Sequence, residues 1–456
     1  MTEKNLEITH KINVENFSPI SDVSNMNVTD IHLLIGEQAS GKSTLAKLIY
    51  FFRTFHKEFV NIIFMSEFEN WENCRKAYIT LLRGKFTNVF GNTNTFGDFN
   101  IAYFYSNNFY VTITPSGKYL NVNFEKLREL KQIWESAFKI LQLNKESAFN
   151  VYASMIEDTN ARNDIVTRVK RLFNEDFAPI YIPAGRALLS RPMLAKFIRS
   201  SDSNALFDNK SGKYSPFSFV DAPTRNYIDE VDRRIRPWFV SESHRGYDTK
   251  NDYDDYLKYL DDISKDILKG EYIIAKDEEY IQSKTNDKIS LSYTSSGQQE
   301  VVWLLNTMKY YAYFGQKCFI VIEEPETHLH PDAQYLLVKY ISAFKNKTES
   351  QILITTHSPY ILSSFNNLFY ADKCSKKCRG DISKVTDILP KQCWLDADVF
   401  SAYIMEGDSG GTTARPIKDK CLSMVDIAEL DAVASEQDDE YEQMLQVMKG
   451  GFSSEN

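Results

Sequence analysis

Apolar and polar residues alternate imperfectly from Leu6 to Phe17, the pattern of a strand with one exposed side. Ile31-His-Leu-Leu-Ile35 is a short apolar run that fits a buried strand, and Thr44 to His56 then carries helix periodicity. The opening is therefore strand, loop, helix. A long stretch from 57 to 285, rich in aromatic and charged residues, has helical patterns over Phe124–Leu141 and Lys145–Phe173 but no sustained heptads, so a coiled-coil arm is not expected. Within it, Pro179-Ile-Tyr-Ile182 reads as a short strand and a candidate member of the core sheet, with Pro183-Ala-Gly-Arg186 as the turn after it. From 286 the pattern regularises. Ile289–Tyr293, Cys318–Ile322 and Gln351–Thr355 read as strands, with helices at 297–313 and 331–345 between them, which predicts a parallel α/β sheet. The expected organisation is a discontinuous core at 1–56 and 285–400, a mainly helical insertion at 57–284, and a C-terminal helical acidic tail at 401–456 whose last residues, 450–456, are expected to be disordered.

Composition narrows the function classes. With 456 residues, 43% hydrophobic and 25% charged, the chain has ordinary globular usage and room for two or three structural units. No run approaches the roughly 18–20 apolar residues of a spanning helix, and Met1–Phe17 lacks an apolar signal core, so a cytoplasmic location with no membrane partner is expected. The six cysteines are expected to be free thiols. Cys374, Cys378 and Cys393 would make three zinc ligands without an obvious fourth, and a closed structural site takes four. A net charge of −9 argues against a uniformly basic nucleic-acid binder but leaves room for a local basic groove.

Candidate chemistry concentrates in four places. Gly36-Glu-Gln38-Ala39-Ser40-Gly41-Lys42-Ser43-Thr44 matches G-x-x-x-x-G-K-[ST] between a strand and a helix. In such a loop backbone N–H groups curl around phosphate oxygens, the helix dipole favours the anion, Lys42 reaches the outer phosphates and the Ser43 hydroxyl is offered to Mg²⁺. Phe319-Ile-Val-Ile-Glu323-Glu324-Pro325-Glu326 is an apolar strand ending in adjacent carboxylates, placed to face a ligand crevice. Glu323 would support Mg²⁺ and Glu324 would orient or deprotonate an attacking water. Ser295-Ser296-Gly297-Gln298 opens a helix and so makes an anion site. Thr355-Thr356-His357-Ser358 ends the next strand in a histidine that can touch a γ-phosphate.

As an ordered set, these motifs resemble the ABC-type ATPases of the SMC, RecF and OLD group. The resemblance implies an ABC-type P-loop ATPase head that hydrolyses ATP, with Ser43 and Glu323 on Mg²⁺, Glu324 as the catalytic carboxylate and His357 as the switch histidine. It further implies that Ser295, Ser296, Gly297 and Gln298 complete the nucleotide site of a second subunit, so that ATP clamps two heads together as a dimer or higher oligomer. Two departures stand out: Glu37-Gln38-Ala39-Ser40 replaces the more usual Asn-Gly-Ser, and Glu323 replaces Asp. The family's Gln-loop residue has no assigned position here.

With Tyr181-Ile-Pro-Ala-Gly-Arg186 added, the set also resembles ATPase subunits of bacterial antiphage systems such as PARIS and Septu. That resemblance implies a sensor controlling a separate effector, such as a nuclease, with a phage protein or DNA as trigger. Tyr403-Ile-Met-Glu406-Gly-Asp408 faintly resembles the start of a TOPRIM nuclease, but no D-x-D strand end follows and intrinsic nuclease activity is not expected. The alternative is a DNA-repair or chromosome-maintenance clamp, with Arg168, Lys170, Arg171, Arg233, Arg234 and Arg236 as candidate phosphate contacts.

Overall fold

The computed structural model describes residues 10–65, 68–91, 97–117, 119–146, 151–191, 220–245, 254–275, 278–377, 382–408, 410–418 and 424–425. The strands among them are β1 (His10–Phe17), β2 (Ile20–Val28), β3 (Ile31–Gly36), β4 (Asn100–Ser106), β5 (Phe109–Ser116), β6 (Tyr119–Phe124), β7 (Ala178–Ile182), β8 (Glu271–Ala275), β9 (Glu278–Gln282), β10 (Lys288–Ser290), β11 (Cys318–Glu323), β12 (Gln351–Thr356), β13 (Phe400–Asp408) and β14 (Gly411–Pro416). Eleven form one sheet in the order β6-β5-β4-β1-β2-β14-β13-β3-β12-β11-β7, and β10-β9-β8 form a second. The segment β13-β3-β12-β11-β7 is parallel throughout.

The parallel strands read as unbroken apolar runs because both faces are covered. Ile31, Leu33 and Ile35 of β3, with Ile320 and Ile322 of β11, face one core; Leu34, Phe319 and Val321 face the other. The helix Ser296–Tyr313 packs its apolar side into the first core and the helix Lys42–Arg53 into the second. The sheet is thus an α/β architecture whose β3, β11 and β12 end side by side, with Glu323 opposite Thr355 and Thr356 opposite Ile35.

Three expectations need correction. Asn100–Phe124, placed in a mainly helical insertion, is an antiparallel meander that extends the main sheet through β1–β4 pairing. Its last strand buries Leu120, Val122 and Phe124 and exposes Tyr119, Asn121 and Asn123, the period-two alternation of a strand. Ile289–Tyr293 is not a core strand: only Lys288–Ser290 is extended, in the small sheet, and Leu291–Tyr293 is a 3-10 turn. Residues 401–416, expected to open the helical tail at 401–456, lie in β13 and β14, and β13 lies directly against β3. Residues 426–456, the rest of that tail, lie outside the described residues, as do Cys378 and Cys421. Cys74, Cys318, Cys374 and Cys393 are free thiols. Among the described residues no helix is long and apolar enough to cross a membrane.

His32, pointing away from Ile31 and Leu33, is fully buried with Nδ1 2.7 Å from the Ser401 hydroxyl, and burial pushes its pKa down to about 3. Unfolded histidine titrates near 6.5. Below that pH the unfolded chain takes up a proton that folded His32 refuses, so this contribution is intact above about 6.5 and is lost as pH falls toward 3. The urea midpoint is expected to drop between pH 7 and pH 5, less steeply in His32→Asn; equal slopes would rule the assignment out.

Candidate functional site

The loop after β3 turns on two glycines in left-handed conformation, Gly36 with φ 144° and Gly41 with φ 82°. A Cβ on Gly36 would lie 2.4 Å from the Met405 carbonyl oxygen of β13, so the loop can pass there only without a side chain. Gly41 starts the helix Lys42–Arg53 and supplies no side-chain cap, which leaves the first-turn N–H groups available to an anion. Gln38 and Ala39 are exposed at the loop tip, Ser40 is buried, and Ser43 and Thr44 are half-buried in the first turn. Lys42 is 5% exposed, and its ammonium donates to the carbonyls of Gly36 at 2.8 Å and Glu37 at 2.6 Å. Burial lowers the Lys42 pKa, opposed by the charges of Glu324, then Glu326, then Glu37. The acidic strand end is therefore electrostatically coupled to the loop lysine.

At that strand end Glu323 is buried. Its Oε2 accepts from the Ala184 N–H at 3.2 Å, while its Oε1 is buried without a hydrogen-bond partner among the described residues. Beside it, the Tyr181 hydroxyl is pushed well above its ordinary pKa by burial and then by the Glu323 charge. A buried carboxylate whose neighbouring donors are the neutral Ala184 N–H and Tyr181 hydroxyl suits a cation. Glu324, half-buried, turns sharply out of the strand at φ 42°, held by its N–H donating to the Thr355 carbonyl at 2.9 Å.

Two residues that sequence reasoning did not assign to this site hold it together. Arg186 is buried, and its Nη1 donates to the carbonyls of Glu323 at 2.7 Å and Pro183 at 2.8 Å. Its Nη2 reaches the Glu324 carbonyl at 3.2 Å and its Nε the Glu300 carbonyl at 3.1 Å. The arginine is thus a structural pin with every nitrogen turned inward, not a surface contact. Glu326 is 5% exposed; its Oε1 accepts from the Thr356 hydroxyl at 2.7 Å and the His357 N–H at 2.9 Å, and lies 3.3 Å from His357 Nδ1. The signal for Glu326 was present in the sequence: it stands two positions past Glu324, where a turn can aim it back at the neighbouring strand end.

Ser295 to Gln298 lie elsewhere. Ser295 caps the helix Ser296–Tyr313 in a reciprocal capping box with Gln298, and Ser295 and Ser296 are exposed. A Cβ on Gly297 would sit 2.5 Å from the His328 carbonyl oxygen, so this glycine serves close packing against the loop that follows the acidic strand. No described hydrogen bond or ion pair joins these four residues to the phosphate loop. One turn on, Glu300 joins them indirectly to the acidic strand end through Arg186.

Residues 118–362 match the AAA ATPase domain family, more than half of the chain. The chain belongs to that family. The matched span contains Glu323, Glu324, His357 and the Ser295–Gln298 segment, whereas the phosphate loop precedes it. The protein is an ATPase, and a nucleotide is its ligand. A separate similarity joins it to Endonuclease GajA of Bacillus cereus (strain HuB5-5), 34% identical over 113 residues; the match covers 20% of this chain and 16% of that protein. The ATPase thus matches well under a fifth of that relative's length. Among solved structures, the SMC head domain from Thermotoga maritima aligns over 91% of this chain and 100% of its own, with a TM-score of 0.37 and 11% identity. A Pyrococcus furiosus Smc head with an extended coiled coil, bound to the C-terminal domain of ScpA, gives a TM-score of 0.38 at 11% identity, over 90% of this chain and 96% of that one. Likenesses this distant carry no weight beyond their description.

The cations that sequence reasoning offered to nucleic acid are largely engaged within the ATPase. Lys170 pairs with Asp176 at 2.8 Å, Arg234 with Glu230 at 3.2 Å and Arg233 with Asp229 at 3.8 Å. Arg236 meets Asp232 and Glu279, and Arg168 donates to the Ser136 hydroxyl at 3.0 Å.

Proposed function

We propose that this ATPase is the sensor or switch subunit of an antiphage defence complex, assembling with itself when ATP is bound and controlling a separate effector, a nuclease. The observation that carries the reading is the separation of the two halves of the nucleotide machinery. The exposed Ser295–Gln298 turn is not joined to its own phosphate loop, so a second copy is the natural source of that element. The partial match to a protein named as an endonuclease supports a nuclease as the effector class.

In this reading β3, β7, β11, β12 and β13 carry the core, and the segment 57–284 interrupts it in sequence while lending it β7 and the Asn100–Phe124 meander. The phosphate loop and Lys42 bind the triphosphate, and Ser43 with Glu323 hold Mg²⁺, which when bound offsets negative charge on the phosphate oxygens. Glu324 takes the proton of the attacking water. His357 orients toward the outer phosphate, and Glu326 positions His357 by fixing both its backbone N–H and its ring. Glu326→Gln is expected to lower kcat about ten- to hundredfold with KM for ATP nearly unchanged, as for removal of a carboxylate that orients a functional histidine. An accompanying change in the pH–rate profile separates positioning from mere scaffolding; a KM effect alone would sink the assignment.

The deciding experiment is affinity capture of the Glu324→Gln protein from its native cells with ATP present. A second copy together with a stoichiometric effector protein supports the switch. DNA alone transfers the assignment to a DNA clamp.

A further inference from the structure

The described chain runs to Val425, whose N–H donates to the Asn366 side-chain oxygen at 2.8 Å and whose carbonyl accepts from the Asn366 amide at 3.0 Å. Val425 is thereby fixed on the helix Pro359–Lys377. Asn366, Tyr370, Lys373 and Lys377 follow one another along that helix at steps of four, three and four residues, so they share one face. Tyr370 is 56% exposed, an aromatic ring turned to solvent one turn from the residue that holds Val425. The short helix Ser383–Ile388 packs against the same helix and adds Lys384 and the 78% exposed Ile388. Lys377, Lys384 and Lys391 are exposed and make no ion pair among the described residues. Nearby acids are fewer, since Lys376 takes Asp372 at 2.8 Å and Asp396 at 3.1 Å and leaves Asp387 and Asp398. The face is therefore partly apolar and net positive.

The sequence after Val425 is complementary to it. Between Asp426 and Met448 stand eight acidic residues and no basic one, while Ile427, Leu430, Tyr441, Leu445 and Met448 recur at the spacing of a single helix face. Reach is sufficient: even wound fully into a helix, that stretch spans about 34 Å, against about 16 Å from Asn366 to Lys377. We propose that Asp426–Met448 docks in cis on the outer face of the helix Pro359–Lys377, with its apolar positions on Tyr370 and Ile388 and its carboxylates toward the lysines. Tethering at Asn366 selects this occupant, because it holds the segment at high effective concentration beside a surface of opposite charge. Docking covers an apolar surface that the chain otherwise presents to other proteins. It does not depend on the roles proposed for the ATP site.

The test exposes the full-length protein, and a synthetic peptide of residues 426–456, to a glutamate-specific protease and follows cleavage between Glu429 and Glu442 by mass spectrometry. Cleavage in the protein is expected to be at least about tenfold slower than in the peptide, because the protease cuts only the undocked segment. Tyr370→Ser is expected to speed it about tenfold, the effect of losing one buried aromatic contact, and Lys377→Glu about threefold. High salt acts in the same direction as Lys377→Glu. Cleavage as fast as in the peptide, or slow cleavage that Tyr370→Ser leaves unchanged, overturns the proposal. So does protection that grows with protein concentration, which places the segment on a second copy. If Tyr370→Ser fails to fold, Lys377→Glu takes its place and decides.

Discussion

Glu324→Gln is expected to slow ATP hydrolysis by about 10²- to 10⁴-fold, the range that general-base catalysis contributes, while ATP remains bound. The reasoning is local. The glutamine keeps the shape of the side chain and the backbone bonds that fix it, the N–H to Thr355 and the carbonyl accepting from Arg186 and Thr327. What it loses is an acceptor for the proton of water. Lys42 and the loop N–H groups, which are proposed to hold the triphosphate, are untouched, so single-turnover hydrolysis and nucleotide retention on a desalting column should part company. A variant that releases ATP as readily as Lys42→Ala would show that Glu324 binds the nucleotide instead of acting on water.

Arg186→Met should cost about 3–5 kcal/mol of stability, the range for removing one partner from a buried charged arrangement. Four backbone carbonyls would lose a charged donor, and the Glu300 carboxylate, 4% exposed and 3.7 Å from Arg186 Nε, would be left buried without its cation. Urea unfolding followed by circular dichroism measures this directly. Arg186→Lys should recover only part of the loss, because one ammonium cannot reach carbonyls on Pro183, Glu323, Glu324 and Glu300 together. Wild-type stability in the methionine variant would show that the turn is held by its backbone alone.

The parts of this molecule that were legible in the sequence are those where chemistry demands particular residues at fixed spacing. A glycine-bracketed loop ending in Gly41-Lys42-Ser43, and an apolar strand ending in Glu323-Glu324, announce themselves because few other sequences satisfy the same constraints. Hidden features depended on partners far away in the chain. The meander at Asn100–Phe124 was obscured by its aromatic content and by the helical patterns around it, and its membership of the main sheet is decided by β1, some ninety residues earlier. Glu326 belongs to the site only because Thr356 and His357 come back beside it. Arg186 read as the last residue of a turn; its meaning lies in carbonyls more than a hundred residues away. Residues 401–416 were set aside with an acidic tail, since a strand whose register is fixed by β3 carries little pattern of its own.

The placement of β13 has a consequence for how the protein is made. The carbonyl of Met405 walls the turn at Gly36, so the loop acquires its final boundary only once a residue 369 positions later (405 − 36) has been made and folded back. Contacts of such long sequence separation form late and pay a large closure entropy. A nascent chain therefore carries Lys42 and Ser43 long before it has a finished pocket for ATP, and a premature stop anywhere before β13 yields a product in which that pocket lacks a side. Synthesis of the loop and completion of its walls are thus separated in time by the whole of the intervening chain.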